Sequence, residues 1–168
     1  MFEVRSGAIE NGVIAAGYGK RSDRLLQGIP IVSFPLEWSD PPAGTKSFAL
    51  VFQDFDDIPE EGFSWIHWLA ADIPGDRRGL PENASRTDPE IIQGRNSWMT
   101  PLGPYGLGCD VTDYYGGPAP DRPHEYELEV FALDCVLGLA QGFYYNELRR
   151  AMAGHVLASA VLKGIYTV

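Results

Sequence analysis

Three segments of the chain show the period-two pattern of apolar residues that is typical of β-strands. They span residues 47–54, 64–73 and 124–133. The second segment is apolar on both faces, which favours an interior strand covered on two sides. The third has one apolar face and one acidic face, which is typical of a strand with one side in solvent. The pattern therefore predicts three core strands.

Residues capable of chemistry lie on the apolar faces of these segments. Asp54 ends the apolar face of the first segment, and His124 and Tyr126 begin the apolar face of the third. In the second segment, strict alternation places His67 on the same face as Leu69. If these faces point into one cavity, an aspartate and two histidines converge at the rim of an apolar pocket.

The rest of the chain predicts one helix and a long loop. A fourfold apolar spacing after an asparagine cap predicts a helix over residues 146–158, and residues 161–168 resemble a returning strand. Residues 74–117 are dense in glycine and proline, and only residues 90–93 suggest an element within them. We expect a mostly β fold, an antiparallel β-sandwich with one C-terminal helix and a long Gly/Pro-rich loop.

Composition limits the partners and the number of domains. A chain of 168 residues is long enough for one domain with a full hydrophobic core, so we expect a single domain over residues 1–168. The formal net charge is −10, with 23 acidic against 13 basic residues. This balance argues against binding to nucleic acid or to an anionic membrane, because both require a surplus of cations.

The cysteines and the amino terminus indicate a cytoplasmic location. The two cysteines, Cys109 and Cys135, are predicted to be free thiols. The first ten residues lack the basic and apolar regions of a signal peptide, and no apolar run is long enough to span a membrane.

The Asp/His/His set suggests the capture of a small anion. A carboxylate beside an imidazole stabilises the imidazolium, which can donate charge-assisted hydrogen bonds to a phosphate or a carboxylate. Tyr126 would add a hydroxyl donor and Trp65 an apolar wall. Each feature also has a plain structural interpretation. A single strand histidine is more often a core residue than a ligand, and the acidic residues 54–61 are typical of a solvated turn.

Taken in order, the motifs resemble the phosphatidylethanolamine-binding protein family, in its bacterial Raf-kinase-inhibitor-like branch. The sequence that carries the resemblance is Asp54-Phe55-Asp56-Asp57-Ile58-Pro59, then Ser64-Trp65-Ile66-His67-Trp68, then Gly117-Pro118-Ala119-Pro120 and His124-Glu125-Tyr126. Similar stretches include Phe131-Ala132-Leu133-Asp134 and Gly154-His155-Val156-Leu157.

The resemblance implies one anion pocket for phosphate, a phosphorylethanolamine-like headgroup or a small carboxylate, without catalysis or a cofactor. Its ligand-binding positions correspond to Asp54, Trp65, His67, Gly117, Pro118, Pro120, His124 and Tyr126. It also implies a regulatory role as an inhibitor of a kinase or protease, although the sequence identifies no protein target. It favours a homodimer, for which the aromatic residues 143–145 are a candidate interface.

The sequence departs from the family pattern in two of its motifs. Phe55 replaces a proline and Asp57 is an additional residue, so that either Asp56 or Asp57 could be the second aspartate of the motif. Glu125 stands where the family often has arginine, which removes a cation from the mouth of the pocket.

A different class of function is a metal-dependent hydrolase. In this alternative, His67, His124 and Asp54 would form a site of two histidines and one carboxylate. The spacing along the chain does not match a familiar metal motif.

Overall fold

The computed structural model describes residues 1–102 and 105–167, and most of its regular structure is β. The strands are β1 Glu3–Arg5, β2 Ile9–Glu10, β3 Val13–Ile14, β4 Leu25–Leu26, β5 Ile29–Pro30, β6 Leu36–Ser39, β7 Ser47–Asp54, β8 Trp65–Pro74, β9 Gly79–Leu80, β10 Ile92–Gly94, β11 His124–Leu133 and β12 Val156–Tyr166. The helices are α1 Ile58–Glu61, α2 Ala84–Thr87, α3 Cys109–Thr112 and α4 Tyr145–Met152, with two 3-10 turns at Ala16–Tyr18 and Ser97–Met99.

One seven-stranded sheet forms the centre of the fold. Its strand order is β10-β8-β7-β11-β12-β3-β2, and every neighbouring pair is antiparallel except β12 and β3. A three-stranded sheet has the order β1-β6-β9, and β4 pairs with β5. The prediction of a mostly β fold is confirmed, and the sandwich arrangement stays a prediction.

The strand β7 is buried on both faces. Phe48, Leu50 and Phe52 join a core cluster that includes residues of β6, whereas Ala49 and Val51 join a second cluster beneath α4. The sequence prediction for this strand, with Asp54 ending its apolar face, is confirmed. The two-sided burial arises because the strand lies inside the central sheet with packed elements above and below it.

A β-bulge in β8 changes the face on which His67 lies. Ile66 pairs with Gln53 and Trp68 pairs with Phe52, so His67 is the extra residue between two successive pairs. The His67 ring contacts Phe52, at a centroid distance of 5.4 Å, whereas Leu69 belongs to the cluster under α4. The prediction that His67 and Leu69 share a face is therefore wrong, because strict alternation fails at the bulge.

The boundary between the last helix and the last strand also differs from the prediction. The helix α4 ends at Met152, and β12 begins at Val156. Gly154 has φ +83, a left-handed conformation that ends the helical path at low cost only for glycine. The chain then pairs with β11 along its whole length. Val168, the last residue of the predicted strand, lies outside the described residues.

The region 74–117 contains several short elements, of which the sequence pattern indicated only the one near residues 90–93, where β10 lies. It includes β9, α2, β10, a 3-10 turn and α3, so the prediction of one C-terminal helix is wrong. These elements have four or fewer residues, too few to display a periodicity. Gly103 and Pro104 lie outside the described residues. Within the described part of the chain, no helix is both long and apolar enough to cross a membrane.

Candidate functional site

Three adjacent strands bring the predicted site residues together. Asp54, at the end of β7, is the register partner of Trp65 in β8 on one side and of Tyr126 in β11 on the other. His124 begins β11 two residues before Tyr126, on the same side of that strand. The sheet register therefore explains why residues far apart in sequence meet at one end of the central sheet.

Asp54 and His124 form a buried pair. Each is 2% exposed or less, and His124 Nδ1 lies 2.8 Å from Asp54 Oδ2. The other oxygen of Asp54, Oδ1, accepts a hydrogen bond from the backbone N–H of Asp56 at 2.8 Å. Because a carboxylate can only accept, Nδ1 of His124 carries the proton. The other ring nitrogen, Nε2, is buried and has no hydrogen-bond partner in the part of the chain that the structure describes.

His67 is fixed by a backbone carbonyl. Its Nδ1 donates to the Gly116 oxygen at 2.7 Å, and its Nε2 is buried without a partner in residues 1–102 and 105–167. Burial lowers the pKa of His67 to about 4, although the hydrogen bond to Gly116 favours the charged form. His67 is therefore neutral near pH 7, and its Nε2 presents a lone pair. The expectation that an imidazolium forms is wrong for this histidine.

An aromatic cavity of about 320 Å³ lies in front of these groups. Trp65, His67, His124, Tyr126 and Trp98 contribute to its lining. No described residue forms a hydrogen bond with the buried Nε1 of Trp65. Burial and the nearby Asp54 carboxylate raise the pKa of Tyr126, so its hydroxyl stays protonated. The cavity thus combines apolar walls with a few buried polar atoms that are free to bind a ligand.

The Gly-Pro segment contributes to the cavity less directly than predicted. Pro120 lines the cavity, whereas Gly117 and Pro118 are absent from its lining. A Cβ atom on Gly117 would lie 2.2 Å from the backbone oxygen of Tyr18, so only glycine fits there. The carbonyl of Pro118 accepts a hydrogen bond from the backbone N–H of Lys20 at 2.7 Å. These two residues hold the segment against the amino-terminal region.

Carboxylates line the mouth of the cavity. Asp57, Glu60, Glu61 and Asp121 contribute to its lining, and Glu60 Oε1 lies 3.6 Å from His124 Nε2. Burial, followed by the charge of Asp54, raises the pKa of Asp57 to about 6. The interpretation of this segment as a solvated turn agrees with the exposure of Asp56, Glu60 and Glu61, but Asp57, Glu60 and Glu61 also line the cavity.

The structure assigns different positions to Asp56 and Asp57. The carboxylate of Asp56 accepts the backbone N–H of Glu125 at 2.9 Å and so ties the turn to the start of β11. Asp57 lines the cavity. Sequence reasoning missed Trp98 and Tyr105 as cavity residues, because both lie in the 74–117 region, where no period marks an inward face.

The geometry does not support the metal site named in the hydrolase alternative. In this region, the donor atoms that lie within 4.8 Å of one another belong to Asp54, Asp57 and His124. Among the described residues, His67 joins no such group. The predicted set of His67, His124 and Asp54 is therefore not assembled for one metal ion.

Comparisons with known proteins agree with this architecture. The family model described as phosphatidylethanolamine-binding protein matches residues 5–167. The uncharacterized protein YxkA of Bacillus subtilis is 44% identical over 149 residues, which covers 87% of this chain and 89% of that protein. A protein of the UPF0098 group from Methanothermobacter thermautotrophicus is 38% identical over 139 residues, covering 80% and 82% of the two chains.

Two solved structures share the whole fold. The crystal structure of Escherichia coli YbcL, described as a member of the mammalian PEBP family, has a TM-score of 0.76 at 26% identity and covers 99% of this chain and 98% of that chain. A PEBP homologue from Chlamydia trachomatis has a TM-score of 0.77 at 28% identity, with coverage of 99% and 97%. The chain belongs to the phosphatidylethanolamine-binding protein family.

Proposed function

We propose that the cavity binds a small ligand through a phosphoryl or carboxylate group and catalyses no reaction. The observation that carries this proposal is the set of three buried ring nitrogens, in Trp65, His67 and His124, that have no hydrogen-bond partner among the described residues. Burying a polar atom without a hydrogen bond costs about 1–3 kcal/mol, so a ligand that satisfies all three is strongly favoured. The names of the family and of its solved relatives support a phosphoryl headgroup as the ligand.

The protonation state of His67 determines which protonation state of the ligand binds best. A neutral His67 with its proton on Nδ1 can only accept a hydrogen bond at Nε2. A monoprotonated phosphoryl group offers both a hydroxyl donor to His67 and oxygen acceptors to Trp65. Since the second pKa of a phosphate monoester is about 6, we expect tighter binding at pH 6 than at pH 8. Acetate has no acidic proton in this range and should bind more weakly.

The acidic mouth narrows the ligand further. Asp57, Glu60 and Glu61 repel a second negative charge and attract a cation placed beyond the phosphoryl group. We therefore expect O-phosphorylethanolamine to bind more tightly than inorganic phosphate, because its ammonium group can reach these carboxylates.

Titration of the full chain tests the proposal. Inorganic phosphate, O-phosphorylethanolamine and acetate are added at pH 6 and pH 8, and binding is followed by tryptophan fluorescence and by the ring resonances of the histidines. His67 and His124 should shift, whereas His155 should not. Folded protein that shows no response to any of the three ligands at millimolar concentration contradicts the proposal.

The variant His124→Asn tests the contact of His124 with the ligand while it keeps the hydrogen bond to Asp54. The asparagine amide can still donate to Asp54 in place of Nδ1, but the variant lacks the Nε2 atom that faces the cavity. We expect the affinity for O-phosphorylethanolamine to fall at least about tenfold, which corresponds to one lost hydrogen bond to a charged group. The matched control is His155→Asn, which should bind the ligand like the unmodified protein. Equal affinity in the two variants would show that His124 does not contact the ligand.

Other parts of the proposal concern the cellular role. We propose a single cytoplasmic domain over residues 1–168 with a regulatory function, and the net charge of −10 supports the expectation that it avoids nucleic acid. We also propose a homodimer, in which Tyr144 would be the contact residue of the aromatic segment 143–145, because Tyr144 is exposed whereas Phe143 is buried in its own core. Sedimentation equilibrium at micromolar concentration measures the oligomeric state directly.

A further inference from the structure

A second cluster of reactive side chains lies at the end of β11 opposite to the cavity. Asp134 and Cys135 directly follow the last residue of β11, and His155 directly precedes β12. The ten residues of β11 place this cluster about 30 Å from His124, at about 3.4 Å per residue. It is therefore separate from the site described above.

Three different metal-binding groups converge there. His155 Nδ1 lies 2.8 Å from Asp134 Oδ1. One ligand atom from each of Asp134, Cys135 and His155 lies within 4.8 Å of the other two. A thiolate, an imidazole and a carboxylate together are typical ligands of zinc, and three protein ligands leave a fourth tetrahedral position for water. The thiolate disfavours magnesium and calcium, which prefer oxygen ligands.

The backbone holds these groups in place. The backbone N–H of Asp134 donates to the His155 oxygen at 3.0 Å, and the His155 N–H donates to the Met152 oxygen at 2.9 Å. The carbonyl of Cys135 accepts the Ser47 hydroxyl at 2.5 Å. Because the three residues are already anchored, binding an ion requires only side-chain adjustment, and little conformational entropy is lost.

The cluster is also accessible. The side chains of Asp134 and His155 are 46% and 47% exposed, and Cys135 is partly exposed. An ion can therefore reach the three groups and keep a water ligand. We propose that Asp134, Cys135 and His155 form a binding site for a divalent transition-metal ion of the zinc class.

Cobalt titration tests this proposal, because Co²⁺ occupies zinc sites and a Co–thiolate bond gives a charge-transfer absorption band. The full chain is reduced and freed of metal, and Co²⁺ is added while absorption is recorded. We expect the band to saturate at one equivalent and to disappear when Zn²⁺ is added. The band also distinguishes this site from the Asp54, Asp57 and His124 group, which contains no sulfur.

Matched variants assign the band to the cluster. Cys109→Ser removes the other thiol, and Cys109 belongs to no such donor group within the described residues. This control should retain the band, whereas Cys135→Ser should abolish it. His155→Gln should weaken Co²⁺ binding by about 10-fold to 100-fold or more, since even outer ligands have effects of that size. Circular dichroism verifies that each variant is folded.

Three outcomes would overturn the proposal. They are the absence of the band at stoichiometric Co²⁺ in the folded, unmodified protein, its persistence in Cys135→Ser, and its loss in Cys109→Ser. The phosphoryl proposal is tested separately, because Cys135→Ser leaves the distant cavity intact and should bind O-phosphorylethanolamine normally.

Discussion

The two ends of β11 carry two Asp–His pairs with the same geometry and opposite surroundings. In both pairs a histidine Nδ1 lies 2.8 Å from an aspartate oxygen. The side chains of Asp54 and His124 are 1% exposed, whereas those of Asp134 and His155 are nearly half exposed. The hydrogen-bond length is therefore not what distinguishes their roles. Burial decides whether a pair supports the wall of the cavity or presents its atoms to solvent.

Burial also decides what each pair contributes to stability. Removing one partner of a buried hydrogen-bonded pair typically costs about 1–3 kcal/mol, because the donor or acceptor of the other partner remains unsatisfied in the interior. Exposed pairs typically contribute about 0–1 kcal/mol, because water competes for both groups. The sequence places His124 at the rim of the predicted pocket. At an exposed rim, its removal would hardly change the free energy of unfolding. In the structure His124 is buried, so its removal should lower the free energy of unfolding substantially.

The largest expected effect compares Asp54→Ala with Asp134→Ala. We expect the first variant to lose about 2–4 kcal/mol of unfolding free energy, because it leaves buried donors unsatisfied, and the second to lose at most about 1 kcal/mol. Asp54→Ala also removes the acceptor for the Asp56 N–H. Urea unfolding followed by fluorescence and by circular dichroism measures both changes. Similar losses in the two variants would show that burial does not separate the pairs.

A smaller effect concerns the pH dependence of stability at the cavity end. The pKa of Asp57 is raised to about 6 from 3.8, so its stabilising contribution is present below pH 3.8 and is lost as the pH rises to 6. The pKa of His67 is lowered to about 4 from 6.5, so its contribution is present above pH 6.5 and is lost as the pH falls to 4. The two groups oppose each other between pH 4 and 6.

Asp57→Asn removes one side of this balance. We expect the variant to be about 2 kcal/mol more stable than the unmodified protein at pH 7 and similar to it at pH 4. Its stability should also rise more steeply with pH, because the contribution of His67 is no longer opposed. Urea midpoints measured from pH 4 to 7 provide the test. Asp134→Asn, at the exposed pair, should have the same dependence of stability on pH as the unmodified protein. If the pH profile of Asp57→Asn also runs parallel to that of the unmodified protein, the expected contribution of Asp57 is contradicted.

The smallest expected effect concerns charge at the mouth of the cavity. Glu61 lines the cavity, and its charge repels an anion there. At low ionic strength, Glu61→Gln should therefore strengthen the binding of inorganic phosphate about threefold, which is within the range of interaction energies for charges near water. Sodium chloride should strengthen binding to the unmodified protein, because it screens the acidic surface. Isothermal titration calorimetry at two ionic strengths measures both effects. This placement of the charges is contradicted if phosphate binding weakens with salt. It is also contradicted if Asp134→Asn increases the phosphate affinity as much as Glu61→Gln does.

Much of the fold could be predicted because its longest strands carry local patterns. The bounds of β7 and β11 agree with the apolar alternation, and Asp54, His124 and Tyr126 lie on the faces that alternation gave them. The sequence places His67 in the correct strand but on the wrong face, together with Leu69. A bulge depends on the pairing of two strands and therefore leaves no mark in the period of one.

The cavity was less predictable than the strands that support it. Trp98, Tyr105 and Glu60 reach the cavity from a 3-10 turn, a loop and a four-residue helix, none of which is long enough to show a period. The cluster of Asp134, Cys135 and His155 joins residues separated by about twenty positions through the β11–β12 pairing. Such proximity follows from the register of the whole sheet.

The sequence by itself determined the mostly β character, the three core strands and the Asp54, His124 and Tyr126 set, because alternation of side chains along a strand is a local property. Tertiary structure alone decided that His67 is neutral, that the carboxylates of α1 face the cavity, and that one Asp–His pair is buried while the other is exposed. Desolvation and convergence depend on every element packed around a group, and no segment of the chain carries that information by itself.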